Sequence, residues 1–478
     1  MMWVTTASIS PSAARTVVGL SQVARPVLST VLALALSVAQ LSPARAESLP
    51  LIRDTEIETL LRDYARPIFK AAGLASQNIS MRIVRHESFN AFVADGRNVF
   101  VNTGALREAK TPNEVIGVLA HETGHITGGH LAALRARIAR DQTKALLVSI
   151  LGIGAMIAGG TSKSDSAREL GGVGQGVLLG GNDVLMRGIL AERRSQESAA
   201  DQAALVFLNA TRQSGKGLLE TFERFAQQEF ISDQHQDPFV RSHPLGTARL
   251  AQLRERIAKS PYANQKDDPA LQLRHDMMRA KIAGYLERPQ IVSNRYPVSD
   301  TTLPARYARA IAANCSGKCV DRIEAIDALI KEQPNNSYFW ELKGSLYFQA
   351  GKAKEGVPHL RKAMQLSGGN EPMQMINLSQ ALLGTEDPAV VDEALNLLRK
   401  ASITDGDYSV TYHLMAKGYG KKNLQPQAEL AAAQGHFVDG NVKQAQIFAK
   451  RAQTKFKQGS PEWIRAEDII TYKIPTAG

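Results

Sequence analysis

The chain predicts an α+β domain followed by an all-α one, and three observations carry that reading. Between residues 51 and 205, segments with apolar residues at helical spacing are mixed with short β-type runs. From about Pro304 onward the pattern changes to paired helices with a period near 34 residues. Two segments of the first region, 115–130 and 190–205, carry histidine and carboxylate side chains one helical turn apart.

At 478 residues the chain is too long for one ordinary domain, and its 44% hydrophobic and 22% charged content is that of a folded soluble protein. Residues 1–46 hold Arg15, Arg25 and Arg45 with no acidic residue, an apolar run from Val27 to Ala39, and Ala44-Arg45-Ala46. This reads as a secretory signal cleaved after Ala46, since about 20 apolar residues are needed to span a membrane. Its removal lowers the formal charge from +11 to +8, which fits an anionic lipid surface or plain solvation. No nucleic-acid motif or arginine-rich block is visible, so nucleic acid is excluded as a partner. Cys315 and Cys319 are close enough in sequence to form a small disulfide across a turn in an exported protein.

Within the first region, residues 51–72 read as an amphipathic helix, with Ile57, Leu60, Leu61, Tyr64 and Ile68 on one face. A β-type segment follows at Ile79–Val84. Asp95-Gly96 then separates two apolar runs, a strong hairpin signal. Val99–Thr103 is the expected sheet edge, available to hold an extended peptide by backbone hydrogen bonds.

Thr111-Pro112 offers a cap and a first-turn proline to the helix that carries His121, Glu122 and His125, in the order H-E-x-x-H. On a helix, His121 and His125 share a face and can bind one cation, with Glu122 beside them to take a proton from water. A catalytic zinc takes a third protein ligand. The metzincin spacing fails, because Leu131 stands at its ligand position. His130 is one place early, about 140° around a continuing helix from His125, and reads as a packing or surface residue. The better candidate is the helix at 190–205, where Glu197 can ligate and Asp201, one turn on, can orient a ligand histidine. Ala199, Ala200, Ala203 and Ala204 let that helix pack closely.

H-E-T-G-H at 121–125 followed by E-S-A-A-D at 197–201 resembles the paired signature of the M48 metallopeptidases. The stretch 90–106 and Ser242-His243-Pro244 with Arg249 are similar to theirs as well. The resemblance covers roughly residues 50–255. It implies a zincin-like fold and one zinc ion on His121, His125 and Glu197, with Glu122 as general base and Asp201 as orienter. It also implies a role for His243, either closing the metal's open position or stabilising an oxyanion.

Residues 145–160 are the most apolar run after the signal, and a glycine-rich segment follows at 171–183. The run is too short and glycine-broken to span a membrane; it reads as a buried helix, or as a hairpin touching a membrane. In the C-terminal third, Trp340, Leu342, Gly344 and Tyr347 recur at +72 as Tyr412, Leu414, Ala416 and Tyr419. The intermediate +36 positions are Ile376, Leu378, Gln380 and Leu383, a pattern that resembles the tetratricopeptide repeat, whose stacked pairs form a concave partner surface.

The expected organisation is a signal at 1–46, a zinc peptidase domain at 47–255, a helical linker at 256–303 and repeats at 304–478. Signal, peptidase and repeats in this order resemble periplasmic M48 proteins of outer-membrane quality control. Unfolded or misassembled barrel proteins are then the implied substrates, and the barrel-assembly machinery the implied partner of the repeats. The rival reading is a non-proteolytic chaperone or adaptor with a latent zinc site. The intact Glu122 weighs against it, since an adaptor needs no such base.

Overall fold

The computed structural model describes residues 50–94, 96–137, 140, 190–226, 243, 246–313 and 320–474. The signal at 1–46, the run at 145–160, the glycine-rich segment at 171–183 and Cys315 and Cys319 lie outside the described residues.

Among the described residues four strands form one sheet in the order β1-β2-β4-β3: β1 Leu51–Ile52, β2 Ser80–Val84, β3 Ala91–Val93 and β4 Asn98–Asn102. β1 pairs antiparallel with β2, β2 parallel with β4 (Met81 opposite Val99, Ile83 opposite Val101), and β3 antiparallel with β4 (Phe92 opposite Phe100). The β3–β4 connection turns at Gly96, where φ of 78° suits a residue without Cβ. β4 is therefore interior, and the expectation that Val99–Thr103 forms the edge is corrected. The hairpin folds β3 to the outside, so among the described residues Ala91–Val93 is the sheet edge next to the helix that carries His121 and His125.

Around the sheet lie α1 Thr55–Ala71, α2 Thr103–Glu108 and α3 Pro112–Thr127. After them come a helical segment over 130–137, then α4, described over 190–210, α5 Lys216–Ala226 and α6 Thr247–Ala258. α1 starts at Asp54, whose carboxylate accepts from the Ile57 amide at 3.0 Å. It buries Ile57, Leu60, Leu61, Tyr64 and Ile68 against Ile83, Val99, Leu106 and Leu119. That face is the spacing read from the sequence.

α7 Pro269–Leu286 and α8 Pro289–Arg295 follow, then α9 Leu303–Ala312 and α10 Val320–Glu332. Beyond them run α11 Ser337–Gln349, α12 Ala353–Leu366, α13 Pro372–Gly384 and α14 Val391–Thr404. The chain ends in α15 Ser409–Lys421, α16 Gln425–Val438, α17 Val442–Gln453 and α18 Pro461–Thr471. Successive helices pack as neighbours, and the recurring positions of the sequence fall on α11, α13 and α15. Gly344 shows why its position is small: a Cβ there would lie 2.6 Å from the Leu360 side chain on α12 and 3.0 Å from the Gly356 carbonyl.

α7, expected inside the linker, belongs to two cores. Met278 and Ile282 join the sheet-side core, whereas Met277 and Ala280 join the one built on Tyr307, Phe339 and Leu342. Its Lys281 ammonium is buried between Asp54 (2.8 Å) and Glu56 (3.1 Å). Further polar bonds tie the helical region to the sheet side: Thr55 to Glu341 (3.2 Å), Arg62 to Glu371 (2.8 Å), Arg53 to Asp405, and Arg82 to Asp407 (3.1 Å). Among the described residues no helix is long and apolar enough to cross a membrane.

Candidate metal centre

α3 places the first two donors. Thr111 caps it, accepting from the Glu114 amide at 3.3 Å, and Pro112 fills a first-turn position where no amide donor is required. Its apolar residues Val115, Ile116, Val118 and Leu119 enter the core and fix the helix rotation. That rotation turns His121 and His125 to the side facing α4, with their Nε2 atoms 3.1 Å apart. Gly124 permits the approach of α4: a Cβ there would lie 2.7 Å from the Ala200 carbonyl oxygen and 2.9 Å from its Cα.

α4 supplies Glu197, with Oε2 3.3 Å from His121 Nε2 and Oε1 3.4 Å from His125 Nε2. From the segment before α6, His243 brings Nδ1 to 3.2 Å from His121 Nε2 and 3.1 Å from Glu197 Oε2. These four side chains are a group able to hold a metal ion. With Zn–N and Zn–O bonds of about 2.0–2.1 Å, a tetrahedron has edges of roughly 3.3–3.4 Å. Five of the six donor pairs, counting both Glu197 oxygens, lie 3.1–3.4 Å apart, and one ligand atom from each residue lies within 4.8 Å of the others, so the residues present fit a small metal ion.

The surroundings hold the donors in place. His121 Nδ1 lies 2.9 Å from Asp201 Oδ1, which leaves its Nε2 facing the other donors. Arg249 on α6 grips Asp201 through Nε and through Nη2 (2.8 Å), and reaches Glu197 Oε2 through Nη1 at 3.0 Å. Its guanidinium lies over the Phe222 ring, 4.6 Å from the centroid, and Phe222 meets His121 edge-on at 5.6 Å. Burial would lower the His121 pKa, but the hydrogen bonds and charges of Asp201 and Glu197 outweigh it and raise it to about 9. Burial would conversely raise the Glu197 carboxyl; the His243, His121 and His125 imidazoles instead hold it well below the usual carboxylate range. Asp201 is lowered as well, with Arg249 and His121 overcoming its burial. The cluster favours bound positive charge.

Glu122 is 1% exposed, and its Oε1 makes no hydrogen bond among the described residues, the His243 Nε2 lying 3.4 Å away. A buried carboxylate oxygen left without a donor is costly, and a water on a bound metal ion would supply the missing proton.

His130 packs against His125, within the expectation of a packing or surface residue, but not from a continuing helix. α3 stops at Thr127, and the left-handed Gly129 (φ 61°) turns the chain back, so the helix does not continue to carry His130 away. Its Nδ1 lies 2.9 Å from His125 Nδ1. The signal available in the sequence was the Gly128-Gly129 pair. A cleft of about 480 Å³ opens beside the donors, lined by Phe92 and Val93 of β3, Ile126, Leu131, Arg135 and Arg193. Arg135 donates to the Ala94 carbonyl at 2.6 Å, at the end of the β3 edge.

Residues 52–257 match the family described as Peptidase family M48. They are an M48 peptidase domain. The chain is accordingly a metalloendopeptidase. It is 24% identical over 433 residues to the beta-barrel assembly-enhancing protease of Escherichia coli (strain K12), covering 88% of this chain and 84% of that one. The protein of the same description from Yersinia pestis is 22% identical over 426 residues, with the same coverage. Metalloprotease LoiP of E. coli is 26% identical over 201 residues, which are 41% of this chain and 71% of LoiP. The match to the first two extends through the helical region.

Proposed function

We propose that this chain is an exported, periplasmic zinc endopeptidase that hydrolyses unfolded or misassembled outer-membrane proteins and supports their assembly. The observation that carries the enzymatic part is the convergence of the His121, His125, Glu197 and His243 donor atoms beside the undonated Glu122 oxygen. The substrate class is supported by the names of relatives that align over 88% of the chain. The α9–α18 helices serve in this reading as tetratricopeptide-type repeats that engage the substrate or the assembly machinery.

His121, His125 and Glu197 hold the ion and Asp201 orients His121. Zinc, when bound, supplies Lewis acidity that polarises the scissile carbonyl and brings a water's pKa to about 7. Glu122 takes the proton as the water oxygen bonds to the carbonyl carbon. It then delivers that proton to the amide nitrogen as the C–N bond breaks. The β3 edge aligns the substrate backbone. His243 would occupy the ion's open position at rest, and its displacement would admit the water that Glu122 deprotonates.

The test is cleavage of casein and of a denatured β-barrel protein by wild type, Glu122→Gln and His243→Ala, with and without a chelator. The proposal expects chelator-sensitive cleavage by wild type, faster cleavage of casein by His243→Ala, and none by Glu122→Gln. Absence of metal-dependent cleavage in both wild type and His243→Ala refutes it and leaves the non-proteolytic adaptor.

A further inference from the structure

We infer that His130 is a positioning residue for the metal site, the outer hydrogen-bond partner that fixes the tautomer and ring orientation of His125. The inference rests on the proposal that His125 binds the metal.

A ligand imidazole is held by what its second nitrogen bonds to, and a carboxylate, carbonyl or water usually does this. For His121 that partner is Asp201. His125 directs Nε2 toward His121 and Glu197, so its Nδ1 carries the hydrogen. Among the described residues its acceptor is His130 Nδ1 at 2.9 Å, with the two rings nearly perpendicular at 80° and their centroids 5.0 Å apart. His130 then keeps its own hydrogen on Nε2.

The local backbone is shaped to this contact. A Cβ on Gly128 would fall 2.2 Å from His130 Nε2 and within 2.7 Å of its carbon atoms, so the ring occupies the space a side chain there would take. Gly129 adopts φ of 61°, the left-handed conformation that returns the chain over the end of α3. Two adjacent glycines thus serve one imidazole, which a surface histidine does not require.

Zinc affinity of the full mature chain, measured by competition with a chromophoric chelator, tests the assignment together with the visible spectrum of the cobalt(II) form. His130→Ala is expected to weaken zinc binding about 10–100-fold and to shift the cobalt bands, with the metal-free melting temperature unchanged. His130→Gln, whose amide oxygen can accept from His125, restores most of the affinity. Gly128→Ala reproduces the loss by displacing the ring. Wild-type affinity and spectrum in His130→Ala, or a glutamine no better than alanine, overturn the assignment alone. A wild type that binds no zinc overturns it together with the metal proposal.

Discussion

Gly124→Ala tests how tightly the metal helix and its ligand-bearing neighbour must approach. The added Cβ would sit 2.7 Å from the Ala200 carbonyl oxygen and 2.9 Å from its Cα, both backbone atoms of α4 that no rotamer change can move. Comfortable contact begins near about 3.5 Å, so α3 and α4 must part by roughly 0.6–0.8 Å. Glu197 lies three residues before Ala200 on the same face of α4, so its carboxylate moves with that backbone. Metal–ligand distances tolerate only about 0.2 Å. We expect zinc affinity to fall about 10–100-fold, or about 1.4–2.8 kcal/mol, with activity partly recovered at saturating zinc. Alanine is also the better helix former by about 1 kcal/mol, which offsets the strain and keeps the metal-free protein folded. Chelator competition measures the first quantity and thermal unfolding of the metal-free form the second. A zinc Kd within twofold of wild type refutes the claim that this glycine sets the spacing of the site.

Arg249→Gln, which loosens both Asp201 and Glu197, is expected to weaken zinc binding by about 10–100-fold; unchanged affinity in chelator competition contradicts the role given to that guanidinium. His275 is fully buried, bonded to Tyr64 Oη (3.0 Å) and the Ala109 carbonyl (2.9 Å), and burial lowers its pKa to about 4. The unfolded chain, with an ordinary value near about 6.5, binds the proton more readily. Stability from this group is therefore complete above that value and drains as pH falls toward the folded one, by roughly 2 kcal/mol between pH 7.5 and 5. Denaturation midpoints at the two pH values measure the loss, which His275→Gln should flatten; an unflattened difference assigns it elsewhere. Asp405→Ala deprives Arg53 and Arg82 of a largely buried partner and is expected to cost about 1.5–3 kcal/mol. A double-mutant cycle with Arg53→Ala should show strong coupling, and simple additivity argues against the contact.

Much of the site was legible because its information is local. The i,i+4 spacing of His121 and His125, and of Glu197 and Asp201, fixes which face each shares on any helix, whatever the tertiary context. What the sequence hid depended on where helices end and which strands adjoin. His130 was read on a continuing helix, and one left-handed glycine reversed its direction. The hairpin at Gly96 was visible, but not which of its strands lies outside, because that depends on the parallel pairing of β4 with the distant β2. The spacing of Trp340, Leu342, Gly344 and Tyr347 located α11, whereas the contacts that dock it, such as Thr55 with Glu341, join residues with no pattern in common. The dual role of α7 was hidden for a related reason: a helix apolar on two sides has no single stripe to read.

That helix decides how the molecule can be divided. A peptidase fragment ending at residue 255 would lack Met278 and Ile282, leaving a trench in its core, and would lose the buried ammonium that neutralises Asp54 and Glu56. A helical fragment starting at 304 would be stripped of Met277 and Ala280 in the same stroke. The two halves hold one beam in common, so the shortest self-sufficient peptidase includes Leu286, and unfolding of either half is expected to weaken the other.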